Sequence, residues 1–96
     1  MPVYLLIDVQ EVRDPQGYAE YIRQVPAVVA KFGGKYLARG GKTRVLSGDW
    51  DPGRVIVLEF PSRERLEAWW SSPEYRKIAP LRENSARVNA VAVEGI

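Results

Sequence analysis

The order in which strand-like and helix-like hydrophobic periodicities follow one another constrains this chain more than any other feature. VYLLIDVQEV, residues 3–12, alternates every second residue, as a β-strand does. Asp14 and Pro15 then suit the cap and first position of a helix, and apolar residues recur every three or four positions as far as Phe32. A strand and a helix are therefore predicted, with Gly33 as the left-handed stop.

Two glycines interrupt the next strand-like segment. KYLAR, residues 35–39, is predicted to form a second strand, and TRVLSGDW, residues 43–50, to continue it beyond Gly40 and Gly41. Glycine weakens a strand interior and often marks a bulge. We therefore expect the strand to bend at the glycines, and the sequence leaves open whether it forms one bent strand or two short ones.

The remaining residues supply a strand, a broken helix and a last strand. The Pro52–Gly53 pair predicts a type II turn, followed by the β-branched strand RVIVLEF, residues 54–60. Ser62 and Ser72 each precede a helical segment as its N-cap, so the second helix is predicted in two pieces. ARVNAVAVEG, residues 86–95, alternates again and predicts the fourth strand.

This order of elements is that of the ferredoxin-like α+β fold, βαββαβ, a four-stranded antiparallel sheet with its helices on one face. One such domain accounts for residues 1–96. The strands carry apolar residues on both faces, since Val55 and Val57 of the third strand oppose Ile56 and Leu58. Because helices cover only one face, we expect a homodimer in which two sheets pack face to face.

Composition narrows the classes of function. The chain has no Cys and no His, which removes thiol chemistry, the commonest metal ligand and the usual haem ligand. We therefore expect neither a metal nor a cofactor, although a carboxylate site for a hard cation stays open. No apolar run is long enough to span a membrane and no signal peptide is evident, so a soluble, cytoplasmic protein is predicted.

Basic residues are concentrated in one region. The formal charge is only +2, and no nucleic-acid-binding motif accompanies it, so nucleic acid is not an expected partner. Residues 21–48, however, contain no Asp or Glu and six Lys or Arg. This region is either a solvated face or an anion-binding site.

Short motifs spread over nearly the whole chain resemble the domain of unknown function 1330 family. They are DPQGYAEY (residues 14–21), GG (33–34), RGG (39–41), GDW (48–50), EFPS (59–62), SPEY (72–75) and LR (81–82). The resemblance implies a dimeric α+β barrel in the superfamily of antibiotic-biosynthesis monooxygenases, muconolactone isomerases and haem-handling enzymes, with ligands held between helices and sheet. It implies no reaction, because a shared fold does not transfer function.

The RGG motif is the leading candidate for a ligand site. Glycines at 40 and 41 would let backbone approach a ligand closely, and Arg39 offers a planar fork suited to a carboxylate, unless the motif merely forms the bulge. Trp50 is a candidate aromatic wall, and Asp49 is a candidate proton acceptor or a turn cap. Arg39 and Trp50 are predicted to lie on one rim.

Helical aromatic residues form a second group of candidates. Tyr21, Trp69 and Tyr75 recur at helical spacing, which is typical of a core but also of the lining of a cleft. Arg82 is a further candidate. A buried strand carboxylate, Asp8 or Glu59, paired with Arg39 or Arg82 would be either part of a structural ion pair or a general base.

The function predicted from these residues is binding of a small, anionic and partly apolar molecule in a cleft between helices and sheet. Cofactor-independent isomerase or monooxygenase-like chemistry is one form of it, and the sequence does not decide whether the protein is an enzyme. The alternative is a non-catalytic ligand-sensing or protein-interaction module. A minor alternative is a tautomerase using Pro2 as its N-terminal amine after removal of Met1.

Overall fold

The chain folds in the predicted order of elements, with the second helix broken in two. The computed structural model describes residues 1–96. Its elements are β1 (Val3–Val12), α1 (Pro15–Lys31), β2 (Lys35–Arg39), β3 (Arg54–Phe60), α2 (Arg63–Trp70), α3 (Pro73–Glu83) and β4 (Ala86–Glu94). The strands form one antiparallel sheet in the order β2-β3-β1-β4. This is the predicted ferredoxin-like α+β architecture.

The helix boundaries follow from local capping. Asp14 accepts a hydrogen bond from the backbone N–H of Gly17 at 3.2 Å and starts α1. Gly33 ends that helix with a φ of +83°, the left-handed conformation predicted for it. Ser72 accepts a hydrogen bond from the N–H of Tyr75 at 3.0 Å, so α3 begins afresh after a break of only two residues.

The core lies between the helices and one face of the sheet, which we call the inner face. Sixteen buried apolar residues form a single cluster there. The largest members are Trp69 and Tyr75, which lie with ring centroids 4.4 Å apart. None of the helices is long and apolar enough to cross a bilayer.

The opposite face, the outer face, is apolar and has no helix over it. In the register of the sheet Leu6 lies between Val57 and Val91. Val91 and Val93 are 61% and 51% exposed. Apolar side chains in the middle of a sheet are normally covered by another layer, so this face is suited to contact a second surface.

The predicted continuation of β2 is wrong. The sheet pairing ends at Arg39, and residues 40–53 form an exposed loop instead of strand. Gly40, with a φ of +73°, donates one last hydrogen bond to the carbonyl of Val55 at 2.9 Å and turns the chain out of the sheet. Because β3 begins only at Arg54, residues 43–50 find no strand to pair with. The irregularity in β2 lies upstream of the glycines, between Tyr36 and Ala38.

The predicted type II turn at Pro52–Gly53 is also wrong. That turn requires a positive φ at Gly53, and the glycines with positive φ are Gly33, Gly40 and Gly48. Gly53 is needed for a close approach, because a methyl group added there would overlap the carbonyl oxygen of Val9.

Candidate functional site

A cavity of about 40 Å³ lies between the helices and the inner face of the sheet, and we call it the inner cavity. Eleven of its fourteen lining residues are hydrophobic. Its volume allows a few water-sized groups, at about 10–15 Å³ each. The side chains with polar atoms that line it are Tyr18, Tyr21, Tyr36, Arg39, Arg54, Trp69 and Arg82.

The charged side chains that line the inner cavity are all positive. Its lining contains three arginines and no Asp or Glu. Neither Arg39 nor Arg54 takes part in an ion pair, and Arg82 lies 3.7 Å from its neighbour Glu83. Charge beside an apolar wall is costly unless it is paired, and a planar guanidinium pairs best with a carboxylate or phosphate. The electrostatics of this cavity therefore favour an anion.

Three elements bring the arginines together, and each guanidinium lies by a tyrosine. Arg39, at the end of β2, sits over the ring of Tyr36 at 4.4 Å from its centroid. Burial raises the pKa of Tyr18, and the positive charge of Arg54, at the start of β3, opposes that rise. Burial lowers the pKa of Arg82, on α3, but its interaction with nearby tyrosines outweighs this and leaves the pKa raised.

Two tyrosine hydroxyls form a buried pair beside the cavity. The hydroxyl oxygens of Tyr21 and Tyr75 are 2.9 Å apart. Burial, and then the proximity of Tyr75, raises the pKa of Tyr21 far above its usual range. Tyr21 is therefore protonated at neutral pH and acts as a hydrogen-bond donor or acceptor. The lining of the cavity contains no carboxylate and no imidazole.

Trp69 contributes an unused donor. Its side chain lines the inner cavity, it is only 2% exposed, and its indole N–H is buried without a hydrogen-bond acceptor in the protein. A buried donor without a partner costs about 1–3 kcal/mol. An oxygen atom of a ligand within the cavity could accept this hydrogen bond.

A second concavity of about 230 Å³ lies on the outer face, and we call it the outer depression; Asp8, Trp50, Asn89 and Val91 line it, among others. Asp8 accepts hydrogen bonds from Trp50 Nε1 at 2.9 Å and from the backbone N–H of Gly53 at 2.8 Å. Burial raises the pKa of Asp8, but these bonds and one from Gln10 outweigh it, so the pKa is lowered. The Asp8 carboxylate anchors the end of the loop.

The structure brings four of the predicted site residues together. Tyr21, Arg39, Trp69 and Arg82 line the inner cavity, and Tyr75 adjoins it through its bond to Tyr21. Their proposed contact with a ligand stays a prediction. The candidate pairing of a strand carboxylate with Arg39 or Arg82 does not occur. Asp8 points to the outer face and bonds the loop, and Glu59 lies beside Lys35.

The predicted residues of the loop are placed elsewhere. Trp50 lines the outer depression, so the prediction that Arg39 and Trp50 share a rim is wrong. They lie on opposite sides of the sheet because the intervening residues leave β2 instead of continuing it. Asp49 and Gly41 are exposed in the loop, and Gly40 lies against the side chain of Arg54.

Arg54, Tyr36 and Tyr18 line the inner cavity but were not among the site residues predicted from the sequence. The available signal was the two-residue period of the strands. Arg54 precedes the buried residues Ile56 and Leu58 at that period, and Tyr36 pairs with Leu58 across the sheet. Each of them therefore faces inward.

The residue proposed for the tautomerase alternative lies away from the inner cavity. Val3 pairs with Phe60 at one end of β1, whereas Val9 pairs with Arg54 at the other end, beside the cavity. Pro2 precedes the first of these ends, where its carbonyl accepts a hydrogen bond from the N–H of Gly95 at 2.7 Å.

The sheet order, the helices on one face and the cavity beneath them define a ferredoxin-like α+β protein. The sequence pattern of the Domain of unknown function (DUF1330) family matches residues 2–96, and the chain belongs to that family. No curated protein sequence matches the chain.

Solved structures share the fold at low sequence identity. A protein of unknown function from Rhodopseudomonas palustris is 23% identical, with a TM-score of 0.79 over 99% of this chain and 82% of its own. A dimeric ferredoxin-like protein of unknown function from Jannaschia sp. CCS1 is 13% identical, with a TM-score of 0.70 over 99% and 100%. SnoaB, a cofactor-independent oxygenase from Streptomyces nogalater, is 10% identical, with a TM-score of 0.59 over 99% and 91%.

Proposed function

We propose that the protein binds a small, anionic and partly apolar organic molecule in the inner cavity. One observation carries this proposal: three guanidinium groups line an otherwise apolar cavity that contains no carboxylate. A carboxylate ligand would supply the missing charge, and its hydrocarbon part would contact the apolar lining. Trp69 and the buried tyrosines would direct hydrogen bonds at further oxygen atoms.

The size of the cavity limits the ligand. At about 40 Å³ it is well below the cavity of about 150 Å³ that takes up benzene in another protein. A ligand of this site is therefore a short-chain carboxylate, or a longer one whose tail projects past the exposed Arg39 at the mouth.

The proposal is for binding without acid–base catalysis. The tyrosines of the inner cavity are held protonated and its other ionisable groups are arginines, so no side chain there suits a general base. This favours a ligand-sensing or ligand-carrying role. Oxygenase chemistry like that named for SnoaB stays a prediction for this chain, since the likeness at 10% identity concerns the fold.

We also propose that two copies of the chain pack through their outer faces. The exposed valines of β4 and the apolar centre of the sheet support this contact, and the Jannaschia neighbour is described as dimeric. Such a dimer would cover the outer depression and leave the inner cavity of each copy free.

A charge-matched titration tests the binding proposal. Short carboxylates from acetate to hexanoate, each beside its neutral amide, are titrated into ¹⁵N-labelled protein. We expect the acids alone to shift resonances of the inner cavity. Arg39→Ala should weaken their binding about tenfold, the value of one hydrogen bond to a charged group. Arg44→Ala is the control, because it removes the same charge from the exposed loop. Equal binding of acids and amides would contradict the proposal.

A further inference from the structure

We propose that Arg54 is the principal anion contact of the inner cavity and that Gly40 is the residue that positions it. This inference rests on the proposed function and assigns the charged contact to a residue outside the RGG motif. It also gives the first glycine of that motif a role, namely to leave room for the side chain of Arg54.

The three arginines of the cavity differ in their burial and in the groups of the protein that their guanidinium groups contact. Arg82 has a carboxylate within reach, that of Glu83 at 3.7 Å, and it acts on the hydroxyl of Tyr75. Arg39 is exposed and stacks on Tyr36. Arg54 is half-buried and has no carboxylate partner. It lies beside Tyr18, and it combines partial desolvation with the absence of a competing carboxylate, two conditions that favour a strong contact to an anion.

Gly40 fixes the path of the Arg54 side chain. A methyl group added at Gly40 would overlap Nε of Arg54 and lie 3.1 Å from Cζ and 3.2 Å from Cδ. The backbone there cannot move aside easily, because the N–H of Gly40 bonds the carbonyl of Val55 at 2.9 Å, next to Arg54 itself. A Cβ at position 40 would therefore displace the guanidinium of Arg54 from its present path beside Tyr18.

Two other glycines of the same loop serve as control positions, because they distinguish steric overlap with Arg54 from backbone strain. Gly48 shares the left-handed conformation, with a φ of +84°, but an added methyl group would meet nothing within 4 Å. Gly41 has neither a positive φ nor a neighbour within 4 Å. Alanine at position 48 thus reproduces the strain alone, and alanine at position 41 reproduces neither effect.

The first experiment is a titration of butyrate, with butyramide as the neutral comparator, into the wild type and the alanine variants. Gly40→Ala and Arg54→Ala should each weaken butyrate binding about thirtyfold, more than the loss of about tenfold expected for Arg39→Ala, whereas Gly41→Ala and Gly48→Ala should stay within about twofold. The double variant Gly40→Ala/Arg54→Ala should bind no more weakly than Arg54→Ala alone, because the glycine acts through the arginine. Additive losses, or an equal loss in Gly48→Ala, would overturn the proposal.

The second experiment needs no ligand. Arg54 opposes the rise in the pKa of Tyr18 more than Arg82 does, while Tyr75 adds to the rise. The pKa of Tyr18 should therefore rise further in Gly40→Ala, which displaces Arg54, and in Arg54→Ala, which removes it. It should stay unchanged in Gly41→Ala and Gly48→Ala. The ¹³Cζ chemical shift of Tyr18, followed against pH, measures this pKa. An unchanged Tyr18 titration in Gly40→Ala would refute the positioning role.

The two experiments distinguish the failure of this inference from that of the proposed function. If no acid binds better than its amide to the wild type, the proposed function is wrong and Arg54 is no anion contact. The Tyr18 titration then still decides whether Gly40 positions Arg54. If butyrate binds the wild type but Arg54→Ala binds it equally well, the proposed function stands and the assignment to Arg54 is wrong.

Discussion

The two faces of the sheet present opposite anomalies. Under the helices, where a core is normally apolar, three arginines line a cavity and one indole N–H lacks an acceptor. On the outer face, where water is the neighbour, the centre is occupied by valines and leucine. Unused polar groups inside are suited to a ligand, and unused apolar groups outside are suited to a protein surface. The same sheet would thus separate the two contacts proposed above, a ligand on one side and a second copy of the chain on the other.

The largest effect is expected from placing a charge on the outer face. Val91→Lys would put an unpaired ammonium group within the proposed contact surface of each copy, which costs several kcal/mol per buried charge. We expect the proposed dimer to dissociate while the monomer stays folded, because Val91 is 61% exposed in the single chain. Analytical ultracentrifugation with circular dichroism measures both.

The control for that experiment is Lys77→Glu, a change of charge on the exposed side of α3. It should leave the assembly unchanged. A wild-type protein that sediments as a monomer at micromolar concentration would show that the outer face is not a contact surface between two copies of the chain.

A large effect is also expected on the inner side, from Trp69→Ala. Truncating a buried aromatic residue costs about 3–5 kcal/mol in the free energy of unfolding. Trp70→Ala is the matched control, because the neighbouring indole is 41% exposed, and it should cost clearly less. Urea denaturation monitored by circular dichroism gives both values. Equal losses would show that burial of Trp69 on the inner face contributes no more to stability than the partly exposed Trp70.

The smallest effect is expected from Asp8→Asn, which weakens the anchor of the loop on the outer face. The pKa of Asp8 is lowered in the folded protein, so its carboxylate stabilises the fold fully at a pH above the pKa of Asp in the unfolded chain, about 3.9. That contribution is lost as the pH falls through the pKa of the folded state. We expect a loss of about 1 kcal/mol in the free energy of unfolding at pH 7.

That loss should disappear at a pH below the folded pKa of Asp8, where the wild-type carboxyl is protonated too. Thermal unfolding of both proteins from pH 2 to pH 7 follows the convergence. A difference that is independent of pH would mean that the Asp8 charge has no part in holding Trp50 and Gly53.

The parts of the fold that depend on neighbouring residues could be predicted from the sequence. Asp14, Gly33 and Ser72 set helix boundaries through bonds to residues within a few positions, and each boundary is confirmed. Residues 43–50 have the local character of a strand, but a strand also needs a partner edge, and the register of β3 provides none. That register depends on residues far apart in the chain.

The same distinction applies to the candidate site. The aromatic residues on the helices recur at helical spacing, so Tyr21 and Trp69 could be named as candidate lining residues from the sequence. Arg54 has no motif of its own, and its place depends on which way the first residue of β3 faces and on the space that Gly40 leaves. The predicted partnership of Arg39 with Trp50 failed because sequence proximity across a loop does not fix the side of a sheet.

The separation of the tryptophans gives the protein a set of built-in optical probes. Trp69 is enclosed at the inner cavity, whereas Trp50 lies 59% exposed on the outer depression. A change that reaches one side of the sheet alters the emission of one indole and not the other. Replacing Trp50 and Trp70 by Phe would leave a single emitter that reports on occupancy of the cavity, without any attached dye.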